Sequence, residues 1–222
     1  MNYRRKDTRE PSILMVPGIH NSGPRHWQSL WETDDPRISR AELGSWDQPH
    51  RNAWVTNLSH AIRSLAAPVI LCAHSLGCLA VAWWAALEGQ HSGNPVAGAL
   101  LVAPPDCDRD DLDPKLADFA PAPRLALPFP ALLVASQNDP YADIDHARQI
   151  ARAWGANFHD AGELGHINAD SGIGRWQEGR ALLQRMTDVG RLTVLARQSF
   201  MTPGATGAER LGPALGRQVG AA

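Results

Sequence analysis

Ser75 is the first candidate for chemistry because of the residues around it. It lies in the run Ala73-His74-Ser75-Leu76-Gly77, which closely matches the G-x-S-x-G pattern of a serine nucleophile on a tight strand-to-helix turn. Small residues are needed two positions to either side, because larger ones would collide with the neighbouring backbone. Ala73 replaces the usual glycine and adds only one methyl group. A continuous apolar run precedes this motif and a segment rich in Ala, Leu and Trp follows it, so the context favours a nucleophile over an ordinary turn.

A serine nucleophile needs a base to accept its proton, and that base needs a third group to orient it. His166 lies in a glycine-flanked loop after a short predicted strand, and Asp139 lies four residues beyond a predicted strand that ends near Ala135. The order serine, acid, histidine along the chain is typical of one class of serine enzymes. We therefore predict that His166 is the general base and that Asp139 orients it.

Other acids and histidines fit these two positions less well. Asp143 and Asp145 lie where a helix is predicted to begin, and carboxylates there stabilise the helix dipole. Asp160 is the third rival to Asp139. Seven further histidines lie before the acid, on a predicted helix or in a predicted strand, and are assigned to packing or to the surface: His20, His26, His50, His60, His91, His146 and His159.

Two backbone N–H groups are predicted to hold the oxyanion that develops during attack by Ser75. One belongs to Leu76, at the start of a helix whose positive dipole end faces the developing charge. The other is expected in the loop after the first strand, where Ile19 follows a Pro-Gly turn. Three polar residues of the same loop are candidates for the substrate pocket: His20, Asn21 and Ser22.

Short apolar runs alternate with segments of helical period, which is typical of a parallel sheet covered by helices. Continuous apolar runs predict buried strands at 13–16, 69–73, 96–103 and 131–135, and a shorter strand is predicted at 157–160. Helices are predicted at 25–32, 49–65, 78–87, 144–154 and 175–186. The predicted fold class is α/β, with a mostly parallel central sheet and helices on both faces. The eight tryptophans are scattered over these elements, and we assign them mostly to packing.

Composition narrows the choice of binding partners. The 222 residues include 44% hydrophobic residues, enough for a sizeable core, and a net charge of -2, which offers no broad field for nucleic acid or an anionic membrane. Three cysteines without C-x-x-C spacing favour a reducing compartment. No apolar run of signal-peptide length follows the basic N-terminal residues, and no run anywhere approaches the length of a membrane span, so a cytoplasmic protein acting on a small molecule is expected.

The sequence predicts no metal and no cofactor, because it has no zinc-ligand spacing, Walker loop or dinucleotide fingerprint. One domain is predicted for residues 11–186. Residues 1–10 form a basic, polar N-terminal extension. Residues 187–222 are rich in Gly, Ala, Arg and Pro with weak periodicity, so a disordered C-terminal tail is predicted there.

Several motifs also resemble those of a known family. They are Val16-Pro17-Gly18, His26-Trp27, the run around Ser75, the block from Ala135 to Tyr141, Trp154-Gly155, Gly165-His166-Ile167-Asn168 and Ser171-Gly172. Together they resemble the small serine hydrolases typified by retinoblastoma-binding protein 9, over residues 12–186. The resemblance implies a three-layer α/β-hydrolase fold without a large cap domain. It also implies a catalytic triad of Ser75, Asp139 and His166.

The chemistry expected from these residues is acyl transfer to water through an acyl-enzyme on Ser75, with an ester, thioester or amide as substrate. Two alternatives stay open. One is a catalytically silent binding protein that uses the same pocket. The other is an enzyme with the same triad and a different reaction, either hydrolysis of carbon–carbon bonds or transfer of the acyl group to an alcohol or amine. The sequence determines neither the natural acyl substrate nor the oligomeric state.

Overall fold

The computed structural model describes residues 10–66, 68–91 and 93–201. The strands of this part are β1 (Ser12–Val16), β2 (Ile38–Arg40), β3 (Val69–His74), β4 (Val96–Val102), β5 (Ala131–Ala135) and β6 (Asn157–Asp160). They form one open sheet in the order β2-β1-β3-β4-β5-β6, and every neighbouring pair is parallel. The carboxyl ends of all six strands therefore lie along one edge of the sheet.

The central strands are buried on both faces. Every residue of β3 and β4 is buried, which is why residues 69–73 and 96–102 are apolar without alternation. The apolar runs predicted as strands are confirmed with bounds that differ by one residue or less at each end. Strand β2 was not predicted, because its three residues, Ile-Ser-Arg, are too few to show a pattern.

The helices complete a three-layer α/β fold. They are α1 (Trp27–Asp34), α2 (Arg51–Ser64), α3 (Leu76–Leu87), α4 (Ile144–Trp154) and α5 (Gln177–Met201). Residues of α2, α3 and α4 share a core with Leu71 and Ala73 of β3, whereas α1 and α5 pack with Ile70 and Cys72 from its other face. The predicted fold class, with helices on both faces of a parallel sheet, is confirmed. None of the helices in the described ranges is long and apolar enough to cross a membrane.

The long connection between β4 and β5 forms no separate cap domain. Its regular structure is one short 3-10 helix, Pro114–Phe119. Phe119 is buried in the core, and its carbonyl accepts a hydrogen bond of 3.0 Å from the indole N–H of Trp83 on α3. This connection is therefore held against the same face of the sheet as α3.

The predicted end of the last helix is corrected. The helix α5 continues past Met186 to Met201, so residues 187–201 of the predicted tail are helical. Thr187 is buried, and a Cβ built on Gly190 would lie 2.7 Å from Cδ1 of Ile70, so this part of α5 packs directly on the sheet. Glycine permits that approach but weakens the helical sequence pattern. Residues 202–222 of the predicted tail and 1–9 of the N-terminal extension lie outside the described residues.

Candidate active site

Ser75 occupies a strained turn between β3 and α3. Its φ of 55° and ψ of -130° lie in a region that residues with a Cβ rarely adopt. Its N–H donates to the carbonyl of Val102 at 2.9 Å, which fixes the turn to the end of β4. Helix α3 begins at the next residue, so the Ser75 side chain lies where a strand ends and a helix begins, as predicted from the motif.

Two glycines make this turn possible. A Cβ on Gly77 would lie only 2.2 Å from the carbonyl oxygen of Val16, and a Cβ on Gly18 would lie 2.7 Å from the Cβ of Ser75. No larger residue fits at either position without movement of the backbone. The end of β1 and the loop after it therefore lie directly against the start of α3.

Three side chains far apart in the sequence form one hydrogen-bonded chain. The Oγ of Ser75 lies 2.9 Å from Nε2 of His166, and Nδ1 of His166 lies 2.9 Å and 3.0 Å from the two carboxylate oxygens of Asp139. The Asp139 side chain is only 4% exposed. When Nδ1–H donates to Asp139, Nε2 is left free to accept the proton of the Ser75 hydroxyl.

The backbone near Asp139 and His166 is held by two polar side chains that the sequence did not single out. The Ser136 hydroxyl accepts the N–H of Leu164 at 2.8 Å and donates to Oδ1 of Asn138 at 2.9 Å. That same oxygen accepts the N–H of Gly165 at 2.7 Å. The loop before His166 is thus fixed to the segment before Asp139. The signal in the sequence was the polar cluster directly after β5.

The other side of the His166 loop is held by aromatic side chains. The indole N–H of Trp27 donates to the carbonyl of Ile167 at 2.8 Å, and Nε2 of His74 lies 2.9 Å from the carbonyl of His166. Ile167 has a φ of 48° and is fully buried, so this backbone is strained and tightly packed. Trp27 was assigned to packing, and it also fixes the loop of the predicted base.

The imidazole rings of three histidines, His26, His74 and His166, lie in a row. The ring centroids of His26 and His74 are 4.7 Å apart, and those of His74 and His166 are 4.9 Å apart. Burial, followed by the neighbouring charge of Arg40, lowers the pKa of His26 to about 3. Burial also holds the pKa of His74 well below its usual value. His26 and His74 are therefore neutral at pH 7, and neither places a positive charge beside His166.

The predicted oxyanion donors lie on adjoining segments. Leu76 is the first residue of α3, and N–H groups in a first helical turn have no acceptor within the helix. Ile19 lies in the loop after β1. A Cβ on its neighbour Gly18 would lie 3.2 Å from the Leu76 nitrogen, so this loop meets the N-terminus of α3. The structure thus brings the two segments together beside Ser75.

The three candidate pocket residues differ in their surroundings. His20 is exposed, and its Nδ1 lies 2.8 Å from a carboxylate oxygen of Asp47. Ser22 is buried, and its hydroxyl donates to the side-chain oxygen of Gln28 at 2.5 Å. The Ser22 hydroxyl is thus bonded inside the protein, and a pocket role for Ser22 stays a prediction.

The side-chain oxygen of Asn21 accepts hydrogen bonds from within the protein. It accepts from Arg40 at 2.8 Å and from the N–H of Ser22 at 2.7 Å. Arg40 on β2 also donates to the carbonyl of Ser22 at 2.9 Å. Asn21 therefore helps Arg40 fix the shape of the loop that carries Ile19.

Within the described ranges, no group of three His, Cys, Asp or Glu residues could hold a metal ion.

Comparison with known proteins agrees with the fold. A sequence model described as serine hydrolase matches residues 13–185. The structure of a YdeN-like hydrolase from Pectobacterium atrosepticum is 33% identical, covers 83% of this chain and 92% of its own, and superposes with a TM-score of 0.69.

A more distant structure shares the fold. The ydeN product of B. subtilis is 19% identical, covers 80% of this chain and 99% of its own, and gives a TM-score of 0.64. A search of the curated proteins found no significant match. The family match spans most of the described domain, and the chain belongs to the serine hydrolase family.

Proposed function

We propose that this protein cleaves carboxylic esters of small molecules through an acyl-enzyme intermediate on Ser75. The observation that carries the proposal is the hydrogen-bonded chain from the Ser75 hydroxyl through His166 to Asp139, with contacts of 2.9 Å and 2.9–3.0 Å. Membership of the serine hydrolase family supports it. Ser75 is the nucleophile, His166 the general base and Asp139 the residue that orients that base.

The proposed reaction has two halves. The Ser75 oxygen attacks the ester carbonyl carbon while His166 takes the hydroxyl proton, and the N–H groups of Ile19 and Leu76 stabilise the oxyanion. His166 then gives its proton to the departing alcohol, and the acyl group stays on Ser75. A water molecule, deprotonated by His166, attacks the acyl-enzyme, releases the carboxylic acid and restores the serine hydroxyl.

We further propose that the protein is a cytoplasmic enzyme of the kind typified by retinoblastoma-binding protein 9. The motifs around Ser75, Asp139 and His166 support that placement. The location is supported by three unpaired cysteines, Cys72, Cys78 and Cys107, all of them buried. Burial raises the pKa of the Cys107 thiol to about 12, so this thiol is inert and not a rival nucleophile.

Hydrolysis of p-nitrophenyl acetate by wild type, Ser75→Ala and Ser64→Ala tests the proposed function. Ser64 is exposed at the end of α2, so its substitution controls for the loss of a serine hydroxyl as such. We expect wild type and Ser64→Ala to show equal turnover and Ser75→Ala to show none above the uncatalysed rate. Turnover by Ser75→Ala at the wild-type rate, or no turnover by the wild type, would overturn the proposal.

A further inference from the structure

Tyr141 is an exposed aromatic residue that contacts the proposed base. Its ring centroid lies 4.5 Å from that of His166, in an edge-on arrangement, yet the residue is 51% exposed. The contact with His166 uses one part of the ring and leaves much of the rest open to solvent. An exposed apolar surface beside a reacting group is well placed to contact a substrate.

The backbone that carries this ring is held by hydrogen bonds on both sides. The Tyr141 N–H donates to Oδ1 of Asp139 at 3.0 Å, and its carbonyl accepts the N–H of Asp106 at 2.9 Å. The preceding carbonyl, of Pro140, accepts from the guanidinium of Arg109 at 3.2 Å. The backbone at Tyr141 is therefore fixed on both sides. A ring carried on an ordered backbone loses less conformational entropy when a ligand binds to it than a ring on a mobile loop.

The chemistry of the proposed reaction defines which part of a substrate meets this ring. His166 must deliver a proton to the oxygen of the leaving alcohol, so that alcohol has to lie next to the His166 imidazole. The open surface of Tyr141 borders the same imidazole. The alcohol portion of an ester is thus the portion that packs against Tyr141.

We propose that Tyr141 is a specificity-determining residue that binds the leaving alcohol of the substrate and favours esters of aromatic alcohols. This inference rests on the proposed function and adds a substrate class to it. The ring of an aromatic alcohol can stack on the tyrosine ring or pack against its edge. A linear alkyl chain makes a less favourable contact with the same ring.

The test compares two acetate esters whose alcohols have similar acidity, 2-phenylethyl acetate and butyl acetate. For each protein we take the ratio of kcat/KM for the aromatic ester to kcat/KM for the butyl ester. Tyr141→Ala should lower that ratio about 3- to 10-fold relative to wild type, as expected for the loss of one aromatic contact. Tyr141→Phe should keep the ratio, because it keeps the ring.

Leu87→Ala is the matched control. Leu87 is 60% exposed, but it lies at the far end of α3, twelve residues along the chain from Ser75, so its truncation should leave the ratio unchanged. If Tyr141→Ala lowers kcat/KM equally for both esters, or for neither, the proposal for Tyr141 is wrong. Should Tyr141→Ala fail to fold, Tyr141→Leu keeps apolar bulk without the ring and must still lower the ratio. If wild type hydrolyses p-nitrophenyl acetate but neither of these two esters, the proposal for Tyr141 is also wrong, whereas failure of wild type with all three esters would overturn the proposed function itself.

Discussion

The folded state is expected to be sensitive to acid because two histidines beside His166, His26 and His74, are buried. His26 is only 5% exposed, and its Nδ1 accepts the N–H of Gln28 at the start of α1. Protonation would place a charge in this buried position beside His74 and break the contact with Gln28. We therefore expect the free energy of unfolding to fall as the pH is lowered from 7 to 5.

The magnitude follows from the two pKa values of His26. The pKa is near 6.5 in the unfolded chain and about 3 in the folded protein. Between these values the unfolded chain binds a proton that the folded protein does not bind. The contribution of His26 to the free energy of unfolding is therefore fully present above pH 6.5 and declines as the pH falls toward 3. From pH 7 to pH 5, His26 alone lowers the free energy of unfolding by about 2 kcal/mol. The lowered pKa of His74 acts in the same direction.

Urea unfolding followed by tryptophan fluorescence at pH 7 and pH 5 measures this loss. His26→Asn is the informative variant, because an asparagine side chain accepts the helix N–H as histidine does but does not titrate. Its loss between the two pH values should be about 2 kcal/mol smaller than that of wild type. His60→Asn, at an exposed position on α2, should match wild type. Equal pH dependence in wild type and His26→Asn would refute the reasoning.

Two further predictions concern the turn at Ser75 and the loop of His166. Gly77→Ala should lower the free energy of unfolding by at least about 3 kcal/mol in urea titrations, because its Cβ would meet the carbonyl of Val16 at 2.2 Å. Gly23→Ala, where no atom lies within 4 Å, is the control, and equal stability of the two variants would contradict the packing argument. His74→Phe removes the donor to the His166 carbonyl and should lower kcat for p-nitrophenyl acetate about tenfold with little change in KM. An unchanged kcat would show that this contact does not position the base.

Much of the fold was predictable because burial and sequence pattern agree. Strands β3 and β4 are buried on both faces, and that environment favours a continuous apolar run. Since all strands are parallel, loops that follow them meet at one edge. The placement of Ser75, Asp139 and His166 after three such strands therefore predicted that they would lie together, and the contacts of 2.9–3.0 Å show that they do.

Contacts between distant segments were not predictable from local pattern. The Ser136 hydroxyl and the side-chain oxygen of Asn138 accept the N–H groups of Leu164 and Gly165 only because the loop before His166 folds back onto them. His74 occupies a position of the motif at which any residue is allowed. Its hydrogen bond to the His166 carbonyl joins residues that are 92 positions apart in the sequence. The extension of α5 was not predicted because Gly190 weakens the helical pattern of the sequence. Glycine occupies this position because it allows close packing of the helix on the sheet.

The proposal that Ser75 is the nucleophile is tested most directly by covalent capture. Wild-type protein is treated with a fluorophosphonate, and the modified residue is located by mass spectrometry of its peptides. We predict a single adduct on the hydroxyl of Ser75, because this is the serine that His166 can deprotonate at 2.9 Å. An adduct on any other residue, or an unmodified Ser75 after prolonged treatment, would contradict the account.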